Sequence, residues 1–156
     1  MTITSAICNS FKQEILVGTH NFTASSGNTF KLSLYSSDSA TLSKATTVYT
    51  APTDGTADPT NTYEVTSTSS GYTTGGNALT STTPVLSGDT ACCKFADTSW
   101  GSTASFTARG CLIYNSTNAN KAVCAINFGS DKTVTSGTFT IQFPAQTAGN
   151  AIIQIA

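Results

Sequence analysis

Hydrophobic and polar positions alternate most cleanly at two places in this chain. In TFKLSLYS, residues 29–36, Phe30, Leu32 and Leu34 fall on one face and Lys31, Ser33 and Tyr35 on the other. This is the period-two pattern of a strand with one buried side. In TFTIQFP, residues 138–144, Phe139, Ile141 and Phe143 alternate with Thr140 and Gln142, and Pro144, which has no N–H to donate, ends the ladder. Shorter runs rich in β-branched and aromatic residues predict further strands near 46–50, 61–67, 78–86, 90–96, 104–115, 120–128 and 151–155. The period lengthens only at the start, where Ile3, Ile7, Phe11 and Ile15 recur every four residues with Cys8 beside them. Thr4 or Ser5 can cap this segment and Gly18 can end it, which predicts a helix over 4–17. The stripe is imperfect, since Glu14 falls within it while Leu16 and Val17 fall off it. Many short strands separated by turn residues predict one mainly β domain over 1–156. The expected form is an antiparallel β-sandwich or jelly-roll-like barrel with one N-terminal helix or arm within 1–20. APTDGTADPTN, residues 51–61, combines Pro, Gly and Asp and is expected to project as a loop.

CLIYNSTNANKAVCAI, residues 111–126, departs from alternation, because both of its arms are apolar at odd and even positions. With a turn centred between Thr117 and Asn118, Leu112 faces Val123, Tyr114 faces Lys121 and Gly110 faces Ala125 on one side. Arg109 with Ile126, Cys111 with Cys124, and Ile113 with Ala122 make the other. A strand pair wet on one side should alternate, so both sides are expected to be covered. One can pack on an opposing sheet; the other has two candidate covers, the N-terminal helix or a neighbouring subunit. On the second reading Arg109, Cys111, Ile113, Cys124 and Ile126 form an interface. Trp100 would be its anchor, since Trp and Arg are over-represented among interface hot spots, although Trp100 fits a core position equally well. Ile3, Ile7, Phe11 and Ile15 form the stripe by which the helix would anchor.

Composition narrows the chemistry. Charged side chains are 10% of the 156 residues and the net charge is −1, so the chain offers no field for nucleic acid or anionic lipid. No run approaches the roughly 20 apolar residues of a membrane span, and the N-terminus has neither the basic nor the long apolar region of an export signal. Asn21 and Asn115 begin Asn-x-Ser/Thr sequons, a motif that so Thr- and Ser-rich a chain produces by chance. The cysteines, Cys8, Cys92, Cys93, Cys111 and Cys124, have no metal-ligand spacing. Cys92 and Cys93 point to opposite faces of one strand. An opposed Cys111–Cys124 pair could bridge, but without an export signal the thiols are expected to stay free. No cofactor motif is present. YTTGGN, residues 72–77, has two glycines but no following Lys or helix, and reads as a turn. A hydrolase would have to use His20, the only histidine, and nothing near it resembles a nucleophile motif.

AICNSFKQEILVGTHNF, FKLSLY, FADTSW, FTARGCLIYN, AVCAINFGSDKTVTSGTFTIQFP and the terminal AIIQIA resemble segments of small proteins encoded in tailed-bacteriophage genomes. The resemblance covers most of the chain, both ends especially, while residues 36–90 match nothing in that group. It implies a structural β-rich virion protein, foremost a capsid decoration (cement) protein, or alternatively a tail, neck or fibre component. A protein of this kind is expected to form a homotrimer, to contact the major capsid protein, and to be made in the host bacterial cytoplasm before entering the virion. The group carries ordinary small or apolar residues where this chain has Cys92, Cys93, Cys111 and Cys124, which weighs against a cysteine site. A competing class is a module that binds host glycans through loops 51–61 and 68–77. A third, an intracellular enzyme, requires a pocket around His20.

Overall fold

The structure, a computed structural model, describes residues 2–36, 40–51, 63–67 and 69–156. Among the described residues, eight strands and one helix follow one another as β1 (Ala6–Ile7), α1 (Asn9–Leu16), β2 (Phe30–Tyr35), β3 (Asn77–Leu79), β4 (Ser81–Ser87), β5 (Thr90–Phe95), β6 (Thr98–Asn115), β7 (Lys121–Ile141) and β8 (Ile153–Ile155). They build two antiparallel sheets, ordered β1-β7-β6-β2-β3 and β4-β5-β8, packed as a sandwich. The fold is thus mainly β with one short N-terminal helix, as the alternation predicts. Between the sheets runs an aromatic spine. Phe22 stacks on Phe30 at 4.3 Å between ring centroids, Phe30 meets Phe95 at 5.6 Å, and Phe95 meets Phe143 at 5.5 Å.

The helix is shorter than the apolar spacing predicts. It starts at Asn9 with Cys8 at its N-cap, not at Thr4 or Ser5, and no side chain caps it. The preceding backbone is committed to tertiary hydrogen bonds: Thr4 N–H donates to Leu42 O at 2.8 Å, Cys8 N–H to Val123 O at 2.9 Å, and Ala6–Ile7 pair with Ala125 and Cys124 of β7. An amide cannot serve both a helical turn and a sheet ladder. The apolar residues accordingly divide between the two faces of the sheet: Ile3 packs from the extended arm against Gly110 on one, while Ile7, paired with Cys124, joins Phe11 and Ile15 of the helix on the other, beside Ile153. Gly18 ends the helix as expected, at φ +74°, with its N–H donating to Ile15 O.

The predicted strands near 104–115, 120–128 and 138–144 turn out to be parts of one hairpin. β6 and β7 pair along its length, interrupted by several register irregularities, and Phe143 lies just past the ladder. Its register also differs. Leu112 lies opposite Ala125, Cys111 opposite Ile126, Ile113 opposite Cys124 and Gly110 opposite Asn127, with a break between Ile113 and Tyr114, after which Asn115 faces Lys121. The turn decides this. Asn115 Oδ1 accepts the amides of Thr117 and Asn118, and Ala119 and Asn120 take left-handed φ of 51° and 57°, so the connection is longer than a turn centred at 117/118. Cys111 and Cys124 are therefore not opposite one another, and all five cysteines are free.

Elsewhere the run 78–86 divides into β3 and β4, and 90–96 and 151–155 appear as β5 and β8. Residues 46–50 contribute a bridge from Val48 to Lys121; of the 61–67 run, residues 61 and 62 lie outside the described residues, and 63–67 contribute a bridge from Glu64 to Tyr35. The expected loop 51–61 lies, apart from Ala51, outside the described residues.

Candidate functional site

β2 and the part of the β6–β7 hairpin nearest its turn, residues 110–115 and 122–125, are buried on both faces, and the chain supplies both covers. On the inner face, Phe30, Leu32, Leu34, Cys111, Ile113 and Cys124 are at most 3% exposed and look toward Phe95 and Ile153 of the second sheet. On the outer face, Tyr114 stacks on Tyr49 at 4.4 Å, Leu112 and Tyr35 lie under Ala40 and Leu42, and Ile3 fits against Gly110. A Cβ at Gly110 would meet Ile3 Cδ1 at 2.9 Å and Ile126 O at 2.5 Å, so this close approach needs glycine. Ser33 and Tyr35 are buried for the same reason, against the expectation of a half-wet strand.

This outer cover is held by a buried carboxylate that sequence reading missed. Glu64 is 0% exposed and accepts from Tyr49 Oη at 2.9 Å, Tyr72 Oη at 2.6 Å and Gly75 N–H at 2.7 Å. Tyr72 Oη in turn accepts from Leu34 N–H at 3.0 Å, and Tyr114 Oη donates to Gly75 O at 2.8 Å. Burial pushes the Glu64 carboxyl above its ordinary range, against the opposing pull of these donors and of Lys31. Burial and then the Glu64 charge push Tyr49, Tyr72 and Tyr114 upward, so the phenols keep the hydrogens they donate. Three segments distant in sequence are tied onto the sheet at one point. Tyr72, the aromatic available to a glycan in the 68–77 loop, is consumed by it.

A second polar cluster surrounds His20. Glu14 Oε2 lies 2.8 Å from Nε2, Lys121 Nζ donates to Glu14 Oε1 at 2.6 Å, and Asn115 Nδ2 lies 3.1 Å from Nδ1. Asn115 is oriented by the two turn amides on its oxygen, so its nitrogen donates to Nδ1 and the His20 hydrogen sits on Nε2, donated to Glu14. Burial pushes Glu14 upward, but the hydrogen bonds from Lys121 and His20 outweigh it and hold its carboxyl below the ordinary value. The His20 side chain is 0% exposed and sits between Phe11 and Phe30 with both nitrogens engaged. No part of the ring meets solvent. The cluster docks α1 on the hairpin turn, which is why Glu14 interrupts the apolar stripe.

The expected interface residues disperse. Trp100 is 3% exposed among Tyr72, Phe106 and Phe139; Cys111, Ile113 and Cys124 are core; only Arg109 and Ile126 are partly exposed. Arg109 reaches Asp131 at 3.4 Å. The cover sought from a helix or a neighbouring subunit is the second sheet on one face and segments 40–50, 63–67 and 69–76 on the other. Burial raises the thiols of Cys8 and Cys93 to about 11 and that of Cys124 to about 12, leaving them poor nucleophiles. No group of three His, Cys, Asp or Glu able to hold a metal occurs among the described residues. No helix among them is long and apolar enough to cross a membrane.

What the chain does expose is apolar surface at one end of the sandwich. Leu16 (85%), Val17 (74%), Leu86 (75%) and Ile155 (56%) stand in water. Leu86, Ala91 and Ile155 are opposed across β4, β5 and β8, extending the core face of that sheet past its edge, and Ile155 shares a groove with Ile15 and Leu16 of α1. Alternation had pointed to this only in part, by leaving Leu16 and Val17 off the helical stripe. No family model matches the chain, and no curated protein or solved structure matches it either.

Proposed function

We propose that this chain is a structural protein acting through protein–protein contact, and that it is a component of a bacteriophage virion, most simply a capsid decoration protein. The observation that supports the contact role is the exposed apolar end formed by Leu16, Val17, Leu86 and Ile155. A contiguous patch of large apolar side chains is costly in water and commonly marks a contact surface. Free thiols, with those of Cys8, Cys93, Cys111 and Cys124 pushed up by burial, and a histidine sealed in the core suit a role without bond-making chemistry. The virion assignment rests on the resemblance of the chain's segments, as do the homotrimer and the major capsid protein as partners. Repetition of such a contact around a symmetric shell would multiply a modest affinity. A tail, neck or fibre component binding a tail protein is the alternative; the host-glycan form of it is disfavoured by the burial of Tyr72.

Two measurements test this. Light scattering on the purified chain should show self-association that the double variant Leu86→Asp, Ile155→Asp abolishes while circular dichroism stays unchanged, since both side chains are exposed. Quantitative mass spectrometry of purified virions should find the chain at capsid stoichiometry. Tail stoichiometry selects the alternative, and absence from the particle refutes the virion assignment.

A further inference from the structure

Away from that apolar end, the long hairpin encloses a groove. β7 is bent: Gly129 and Ser136 take φ of +78° and +45°, and three irregularities interrupt its pairing with β6 between Trp100 and Gly110. Bulges of this kind turn a strand and raise its coil. The bend brings Ile126 and Phe128 on one arm to face Phe139 and Ile141 on the other, and Phe143, on the way to the second sheet, closes the floor. The space is about 510 Å³, inside the range of roughly 300–1,000 Å³ typical of small-molecule sites. Among the described residues Lys132 is the one charged side chain in its lining, exposed at the rim with Nζ 2.9 Å from Ser130 Oγ.

The geometry points to a binding site for a single long-chain carboxylate, an acyl tail lying between Ile126, Phe128, Phe139 and Ile141 with its anionic head at Lys132. An apolar cleft open along one side accepts an extended chain. Among the described residues no acid in the lining offsets the ammonium, so an anionic head is attracted and a cationic one repelled. Ser130 already orients Lys132 toward one position. The groove shares no lining residue with the exposed end on which the assembly role rests, so failure of either leaves the other standing.

Displacement of a fluorescent fatty acid from the full chain, below micellar concentrations, tests the assignment. Palmitate should bind one per chain, and hexadecyltrimethylammonium, with the same tail length and the opposite charge, should compete at least about tenfold less well. Lys132→Glu should weaken palmitate by about tenfold. Ile126→Trp, which fills the groove, should abolish binding; Ile141→Trp on the facing wall serves the same purpose if the first variant misfolds. Equal competition by the cation, survival of binding in a folded groove-filling variant, or no stoichiometric binding, including because a second copy occupies the groove, overturns it.

Discussion

Replacing Glu64 should loosen the whole outer cover of the five-stranded sheet, and the size of the effect can be worked from its partners. In Glu64→Ala, two phenol hydroxyls and the Gly75 amide lose their acceptor in a site without solvent access. Hydrogen bonds to a charged group contribute about 1.5–3 kcal/mol each, and orphaned buried donors cost about 1–3 kcal/mol. Water entering the cavity recovers part of this, so the net loss should be about 4 kcal/mol, a large share of a typical 5–15 kcal/mol stability. Glu64→Gln keeps an oxygen where Tyr72 and Gly75 meet and mainly disturbs the Tyr49 bond, so it should cost about 1.5 kcal/mol near neutral pH.

The two side chains also separate by pH. The folded-state value of Glu64 is raised above the ordinary 4.5, so its proton is held more tightly in the folded chain. Its stabilising contribution is then fully present below about 4.5 and is lost as pH rises through the folded value. Glutamine does not titrate. The wild-type advantage over Glu64→Gln should therefore be larger near pH 5 than near pH 8, read as the difference between urea midpoints; differencing cancels the other carboxylates, including Glu14, whose shift has the opposite sign. An Ala variant costing under about 1 kcal/mol, or a wild-type advantage that is flat or grows with pH, would refute this account.

Ile113→Asp tests whether the inner hairpin face is core or interface: Ile113 is fully buried within one chain, so the variant should fail to fold, by more than about 4 kcal/mol, and not merely dissociate. A folded, monomeric Ile113→Asp protein by circular dichroism and light scattering would return that face to an intersubunit role. The buried thiols Cys8, Cys111 and Cys124 should resist a thiol reagent at pH 8 in the native chain and react on unfolding, because burial holds them protonated. Rapid native labelling of Cys111 or Cys124, mapped by mass spectrometry, would contradict this.

Much of the architecture is legible in the chain because it is written at short range. The alternation of Phe30, Leu32 and Leu34 identifies β2. The opposite orientation of Cys92 and Cys93 follows from alternation and is observed, Cys93 packing on the core with Phe95. The two-sided apolar character of 111–126 correctly required a cover on each face, and Gly18 marks the helix end. Each of these rests on a period or a backbone preference that a few neighbouring residues carry by themselves.

Tertiary structure decided the rest, because competing local solutions were close in energy and distant groups broke the tie. A four-residue apolar spacing is compatible with a helix or an extended segment; β7, by pairing with Ala6–Ile7 and accepting the Cys8 N–H, made the residues before Cys8 an arm. The hairpin register turned on Asn115, held by turn amides, His20 and Asn28, and a shift of two residues separated Cys111 from Cys124 without changing either one's face. Cys111, Ile113 and Cys124 look like interface candidates in a polar chain until the second sheet is seen to cover their face, and Trp100 until Tyr72 is seen to stack on it; the opposite face is covered by segments 40–50, 63–67 and 69–76. Those segments have no periodicity to announce them. They are held by Tyr49, Glu64, Tyr72 and Gly75, polar groups scattered along a Ser- and Thr-rich stretch, whose meaning comes only from meeting in a place without water.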